Sequence, residues 1–502
     1  MKKAKKIGIS ILAVVAGIFL ALFLLSNYAK NKITSTLEEE MGENLQYEEV
    51  DVSLISRRIK FENPEIIFSG NTINAEEISI NGIGLYQYLM NKKIRINDIE
   101  LASPVVTFSE AKDTAGTSGD AKKFKQDIKV GSFSIENGEI RTVKNDTSET
   151  PLFALLDSFR LSDIVVNPET LDRKIPFDYN SYSFRVDSVY MALDDQHDFS
   201  VGHLSSENGR INLERFRILP KYDKVEFQRH IPYEKDRFEL LVESVQLDSL
   251  SWRFKSDSLH IENPLMTIRG ADLEVYRNKL VQDDPRTKTL YSEKIRKMPF
   301  KIDFDSIHVE RSKIVYEEKV KEDRPPGKVS FHEVEAGISN ISNMGLQGSK
   351  LKTVINANAL FMDVTPLEVD WQFDIGNEWE SFSISGNFGT VPARAINEFV
   401  RPAMNVEVEG NIDYLAFSYS GNDDKALGDV RIQYRDFRVV ILKDDGEEKN
   451  SFWSSIANLF ISNNAVDEDV VNKDLEVTRD KKKSFWNYAW LMIREGALAS
   501  FL

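Results

Sequence analysis

The chain has 502 residues and 41% apolar content, enough for a sizeable buried core and for more than one domain. Its 64 basic and 80 acidic residues leave a net charge of −16, which repels a nucleic-acid backbone and argues against nucleic acid as a partner. No cysteine is present, so disulfide scaffolds, thiolate metal sites and cysteine nucleophiles are removed together, and the six histidines are scattered.

In chain order, Lys2, Lys3, Lys5 and Lys6 precede an uncharged stretch from Ile7 to Leu25. At about 1.5 Å per residue this stretch comes close to the roughly 30 Å of a bilayer's hydrocarbon core. It is too long for the apolar region of a cleaved signal, and the exit Ser26-Asn27-Tyr28-Ala29-Lys30 lacks the usual run of small residues. Residues 1–29 therefore read as a cytoplasmic stub and an uncleaved transmembrane signal-anchor. The lysines before it outweigh Lys30 and Lys32 after it, so the N-terminus is expected in the cytoplasm and the rest outside.

Residues 30–46 read as a short helical stalk. At Tyr47-Glu-Glu-Val50-Asp-Val52-Ser-Leu54 the period changes to strict alternation, and short alternating strands continue to about Leu442. The small, polar, glycine-containing run 111–123 predicts a flexible loop, and none of the interruptions forces a domain split. Residues 47–442 are thus expected to form a repetitive β ectodomain, and 443–502 a helical cap or docking tail.

Within the strands, apolar residues recur at offsets 0, 2, 5, 7 and 12. Full copies are Ile94/Ile96/Ile99/Leu101/Val106, Ile128/Val130/Phe133/Ile135/Ile140 and Ile302/Phe304/Ile307/Val309/Ile314. Near copies are Leu240/Val242/Val245/Leu247/Trp252 and Phe184/Val186/Val189/Met191. At the phase skip stand Asn97-Asp98, Gly131-Ser132, Asp187-Ser188, Glu243-Ser244 and Asp305-Ser306, polar couples suited to a bulge. A second echo, Ile59-Lys-Phe61-Glu-Asn-Pro64 against Leu259-His-Ile261-Glu-Asn-Pro264, places prolines where strand ends or edges are expected. Such strands must cover their apolar face. Helices are too few, which leaves a second sheet packed as a sandwich or one sheet whose apolar face lines an open groove; periodicity does not choose.

The anchor, followed by Ala75-Glu-Glu-Ile78-Ser-Ile80, Leu85-Tyr-Gln-Tyr88-Leu89 and Ile94-Arg-Ile96-Asn-Asp-Ile99-Glu-Leu101-Ala-Ser-Pro104, resembles the start of AsmA-like envelope proteins, relatives of the TamB and bridge-like lipid-transfer group. The far end is similar to Bacteroidetes-type members in Ala395-Ile-Asn-Glu-Phe399, Val406-Glu-Val408-Glu-Gly410-Asn-Ile412, Leu427 to Val439 and Ser484-Phe-Trp486-Asn-Tyr488-Ala-Trp490. The likeness covers both ends and skips the middle, and its motifs belong to a fold rather than to catalysis. It implies a mainly β protein: an elongated, curled antiparallel sheet, taco-like, with an N-terminal transmembrane helix and short C-terminal helices. The implied place is the inner membrane and periplasm of a diderm bacterium, and the implied work is conducting phospholipid through an apolar β-groove for outer-membrane lipid homeostasis. The runner-up is a structural or assembly factor for outer-membrane proteins that carries no lipid.

On that reading the groove candidates are Ile94, Ile96, Ile99, Leu101, Ile128, Val130, Phe133, Ile135, Val242, Val245, Leu247, Ile302, Phe304, Ile307 and Val309. About 25 strands spaced about 4.7 Å reach on the order of 120 Å, so an envelope partner is expected to complete a crossing. No phosphate loop, dinucleotide fingerprint, nucleophile elbow or HExxH helix is present, so neither an enzyme nor a cofactor is expected. Asp194, Asp195, His197, Asp198 and His203 have no metal-motif spacing and read as a solvated loop, leaving no metal site. At the C-terminus, Phe452 to Phe460 and then Phe485, Trp486, Ala489, Trp490 and Ile493 form helical stripes, the second after Lys481-Lys482-Lys483. Phe485, Trp486, Trp490 and Ile493 are expected either to cap the sheet or to dock on a membrane or a partner.

Overall fold

The computed structural model describes residues 42–53, 56–68, 70–84, 93–109, 127–143, 151–171, 173–207, 209–255, 257–346, 352–442 and 466–501. The expected span 7–25, most of the stalk, the loop 111–123 and the stripe Phe452 to Phe460 lie outside these residues. No helix among the described residues is long and apolar enough to cross a membrane. The chain is mainly β, with 64% strand and 11% helix, and its strands form one large mixed sheet. It divides into two compact units, Met1–Arg215 with Phe254–Asp257, and Phe216–Arg253 with Ser258–Leu502.

The first unit contains β1 (Leu45–Gln46), β2 (Glu49–Ser53), β3 (Arg58–Glu62), β4 (Glu65–Phe68), β5 (Asn71–Asn74), β6 (Glu77–Asn81), β7 (Ile94–Ala102), β8 (Val105–Ser109), β9 (Ile128–Val143), β10 (Leu152–Val166), the short helix α1 (Pro168–Leu171), β11 (Ser181–Ala192), β12 (His197–Val201) and β13 (His203–Glu207). β14 (Arg210–Pro220) runs past its boundary. The early strands are halves of longer ones, interrupted at Asn63-Pro64 and Ser103-Pro104. Proline cannot donate to a ladder, and Asn63 and Ser103 turn the chain at positive φ, 46° and 49°. β2 pairs with β3, β3 with β6 and β6 with β7, all antiparallel. β7 and β8 then both pair parallel with β9.

This parallel pairing explains the sequence repeat. Ile94, Ile96, Ile99 and Leu101 stand directly beside Ile128, Val130, Phe133 and Ile135, and Val106 beside Ile140, so two copies of one pattern are neighbours in one pleat. The phase skip is shared too. Asn97 falls beside Gly131, where a Cβ would come within 2.6 Å of the Asn97 carbonyl oxygen. At Asp187 the β10–β11 register shifts, with Leu155 opposite Ser188 but Leu156 opposite Val186.

The second unit contains β15 (Arg237–Asp248), β16 (Ser251–Lys255, shared with the first unit), β17 (Ser258–Asn278), α2 (Tyr291–Arg296), β18 (Lys301–Lys319), β19 (Gly327–Ser342), β20 (Thr353–Phe361), β21 (Thr365–Phe373), β22 (Phe382–Phe388), β23 (Val391–Pro392), α3 (Ala393–Met404), β24 (Val406–Gly421), β25 (Lys425–Ile441), β26 (Val466–Thr478) and α4 (Phe485–Phe501). β17 and β18 are parallel; the other described pairings of this unit are antiparallel. The expected all-antiparallel sheet is therefore corrected to a mixed one. The connections 110–126 and 279–300 are long enough to return the chain to the same end before the next strand begins, which parallel pairing requires.

Two further differences concern single segments. Pro264, expected at a strand end or edge, stands inside β17, at a point where the parallel register passes from Asn263–Phe304 to Leu265–Ser306. The tail after residue 442, read as helical, holds strand β26, which pairs antiparallel with β25. Helix α4 follows it, its first turn capped by the Ser484 hydroxyl, which accepts from Asn487 N–H at 3.3 Å. Helix α3 ends at Asn405 in the left-handed region, φ 60°, a common helix stop.

Candidate functional site

Apolar residues in register across a sheet face the same way. In the first unit the rows containing Val50, Phe61, Ile78 and Leu101 belong to one buried cluster that extends to Ile164 and Val166. Ile80, Ile96 and Ile128 at its centre are at most 1% exposed. The loop after β10 closes over it with Leu171, Phe177 and Tyr179. The groove candidates Ile94, Ile96, Ile99, Leu101, Ile128, Val130 and Phe133 lie inside this closed cluster, and Ile135 packs against it.

The second unit carries rows of the same chemistry with a different cover. One runs Val245, Ile268, Val309, Ala336, Ala357, Val369, Gly386, Phe417, Val430 from β15 to β25. The adjacent row runs Leu247, Met266, Ile307, Ile338, Ile355, Trp371, Ile384, Tyr419. At the β15–β20 end, Leu247, Met266, Ile268, Val309, Ala336, Ile338 and Ile355 are only half-buried. The candidates Val242, Val245, Ile302 and Ile307 are buried there, whereas Leu247, Phe304 and Val309 are half-buried, and none of the seven belongs to either large buried cluster.

The break in the alternation sits mid-strand. Glu243 lies across from Gly270, whose φ is 61°, and a Cβ there would meet the Glu243 carboxyl carbon at 2.3 Å. The same carboxylate accepts from Arg311 at 2.9 Å. Towards the other strand end the rows finish with Phe238, Val275 and Tyr316, and charge follows. There Arg277 holds Asp236 in a two-pronged pair at 2.6 and 2.7 Å, and Tyr316 donates to Glu318 at 2.6 Å. The strip is thus apolar along the rows and polar at one end.

Towards β25 the strip disappears under α4. Phe485 stacks on Trp371 with ring centroids 4.5 Å apart and meets Phe382 edge-on. Tyr488 and Met492 are each 1% exposed, and Tyr419 donates its hydroxyl proton to the Met492 carbonyl at 2.9 Å. Of the four expected C-terminal residues, Phe485 faces the sheet and Ile493 is half-buried, while Trp486 and Trp490 are 59% and 39% exposed. Tyr488 and Met492 were missed because tryptophan spacing drew the stripe; the positions three and seven after Phe485 carried the signal.

The connector 479–484 between β26 and α4 is held by charge. Arg479 pairs with Asp423 and donates to the Lys288 carbonyl. Lys481 pairs with Asp423 at 2.9 Å and Asp424 at 2.5 Å. Lys483 reaches Glu234 at 2.9 Å and Asp283 at 3.0 Å. Glu234, 2% exposed, also accepts from Lys279 at 2.9 Å. Burial pushes its carboxyl upward, but the hydrogen bonds from Lys279 and Lys483 outweigh burial and hold its pKa below the ordinary value. Two lysines of the 481–483 run are thus engaged in ion pairs within the unit.

The acidic and histidine cluster is turn chemistry. Asp194 Oδ1 accepts from Gln196 N–H and His197 N–H at 2.8 and 2.7 Å and lies 3.1 Å from the ring of fully buried His197. His203 Nδ1 is 3.9 Å from Asp187. Among the described residues no group of three or more His, Cys, Asp or Glu side chains could hold a metal. Neither a scan against protein-family models nor a search of curated proteins gave a match to this chain.

Proposed function

We propose that the chain is an AsmA-like, membrane-anchored envelope protein that binds phospholipid acyl chains along the half-buried apolar strip of its second unit and conducts them between membranes. The observation that carries the reading is the register row Val245, Ile268, Val309, Ala336, continuous in apolar character yet outside the large buried clusters. Moving a lipid tail into water costs about 0.8 kcal/mol per CH₂, so a strip that keeps tails out of water removes the main barrier to their passage. The polar end, where buried Arg277 is held by Asp236 and Glu318 is half-buried, lets a headgroup stay in a polar setting while the rows take the tails. No covalent chemistry is required of the protein.

On this reading the sheet is elongated and curled, residues 7–25 hold it in the inner membrane, and the ectodomain lies in the periplasm, where an envelope partner completes the crossing. Mass spectrometry of the full chain, exchanged into nanodiscs of one defined synthetic lipid and washed, tests the binding. Native phospholipid retained in stoichiometric amount is the expected result. A lipid-free protein that still supports outer-membrane assembly gives the role to the runner-up, a structural or assembly factor. A periplasm-active reporter fused after Leu502 tests the topology and is expected to be active.

A further inference from the structure

Helix α4 does to the last strands what a bound lipid would do to the earlier ones. The two register rows pass without change of chemistry from the half-buried β15–β20 region to β21–β25, where the side chains of Phe485, Tyr488 and Met492 lie on them. The strands stay the same and only the cover differs. The contact is also imperfect in one place: the Trp371 indole N–H, 8% exposed and beneath the Phe485 ring, has no hydrogen-bond partner among the described residues. A buried donor left unpaired favours any state that hydrates it. The helix is tied to the rest of the unit at its base, by the connector pairs Arg479–Asp423, Lys481–Asp424 and Lys483–Glu234, and along its length by the Tyr419 and Trp486 hydrogen bonds. Away from its buried face it carries Trp486 and Trp490, 59% and 39% exposed although each also meets a ring of the unit, so the helix can offer apolar surface to another apolar phase such as a bilayer surface.

We propose that α4 is a hinged lid, an internal occupant of the terminal part of the lipid strip, latched at its base by Lys483 and Glu234 and displaced when lipid passes. The proposal rests on the lipid-carrying reading above and adds its regulation. Opening would join the β15–β20 strip to the β21–β25 rows in one uncovered path; closure ends the path at Trp371.

The absence of native cysteine makes a lock simple to install. A Cβ built at Gly496 stands 2.7 Å from Val430 Cβ, so a Gly496→Cys, Val430→Cys pair closes with a shift of about 1 Å towards the usual separation of about 3.8 Å. Transfer of pyrene-labelled phosphatidylglycerol between vesicles of phosphatidylethanolamine and phosphatidylglycerol is then measured with the full chain, oxidised and reduced. The lid requires transfer at least tenfold slower when oxidised and restored by reductant. Equal rates in the two states, in a protein that does transfer, overturn the lid and leave the lipid reading standing. No transfer and no bound lipid in either state, or in the unmodified chain, removes the lipid reading and the lid with it. Hydrogen exchange of Glu234→Gln, which keeps the side-chain shape, is a second measurement independent of transfer. Amides of 485–497 are expected to exchange at least fivefold faster than in the unmodified chain while β22 and β24 are unchanged; an unchanged α4 overturns the lid.

Discussion

Ile80, Ile96 and Ile128 in the first unit and Met266, Ile268 and Val309 in the second obey the same alternation, yet the first three are sealed and the second three are not. The strands do not differ; the cover does. In the first unit Leu171, Phe177 and Tyr179 pack against the apolar face, whereas among the described residues Met266, Ile268 and Val309 belong to neither large buried cluster. An apolar row in a sheet therefore becomes core or binding surface according to what lies on it, a property of the connections rather than of the strands.

The largest effect that tests this contrast is a charge in the sealed interior. Val130→Glu places an unpaired carboxylate at a site 2% exposed, and a loss of roughly 3–5 kcal/mol with unfolding of the first unit is expected, read by circular dichroism and thermal melting. A native-like melt would erase the distinction between the units. Next comes the cover itself. Phe485→Ala, which empties the space on Trp371, is expected to cost about 3–5 kcal/mol in denaturant unfolding, and Trp486→Ala less than about 1. Equal costs would show that the outer tryptophan is also covered.

A smaller structural effect is expected on the open strip. Ile268→Glu and Val309→Glu still let the carboxylate reach water, so about 1 kcal/mol or less of stability should be lost while co-purified phospholipid falls several-fold. Unfolding of both variants would mean that the strip is a dry core. The smallest effect is on the pH profile. Because the folded pKa of Glu234 lies below its unfolded value of about 4.3, its contribution is complete above that pH and fades as the pH drops through the folded value. Lys279, Lys483, Asp283 and Arg277 surround this group. Acid titration of the intact chain and of Glu234→Gln should therefore show the two separated above about pH 4.3 and converging only as the pH falls through the lowered folded value; parallel profiles would dissociate Glu234 from the hold on α4.

Alternation made the strands legible because it follows from the pleat, and the polar couples at the phase skip were legible because a break in the apolar face needs residues that tolerate it. Asp187 and Glu243 lie at such breaks, beside a register shift and a positive-φ glycine. Strand direction was not legible: Ile94–Ala102 and Ile128–Val143 carry one pattern whether they run parallel or antiparallel, and alternation is blind to which of the two is formed. The cover was illegible for a related reason. Phe177 and Tyr179 reach the first interior from a loop without periodicity, and Glu234 meets Lys483 across 249 residues of sequence. The tail misled because Val466–Thr478 is acidic and interrupted; it pairs in spite of its composition, as the next strand available to β25.

Strand β26 also ends the sheet within its unit: among the described residues its pairing is with β25 alone. A bare strand edge is a template on which a second chain can polymerise. β26 bears Lys473, Asp474 and Glu476, and Asp474 interrupts it at φ 58° with its N–H turned to the Asp429 carboxylate at 3.0 Å. Charge and a local kink are the devices by which natural sheets refuse edge-to-edge growth. The same strand that ends the sheet thus carries its own guard against edge pairing, and smoothing it, by exchanging Asp474 and the neighbouring charges for threonine and valine, which disfavour positive φ, would turn a terminator into a nucleus for fibres.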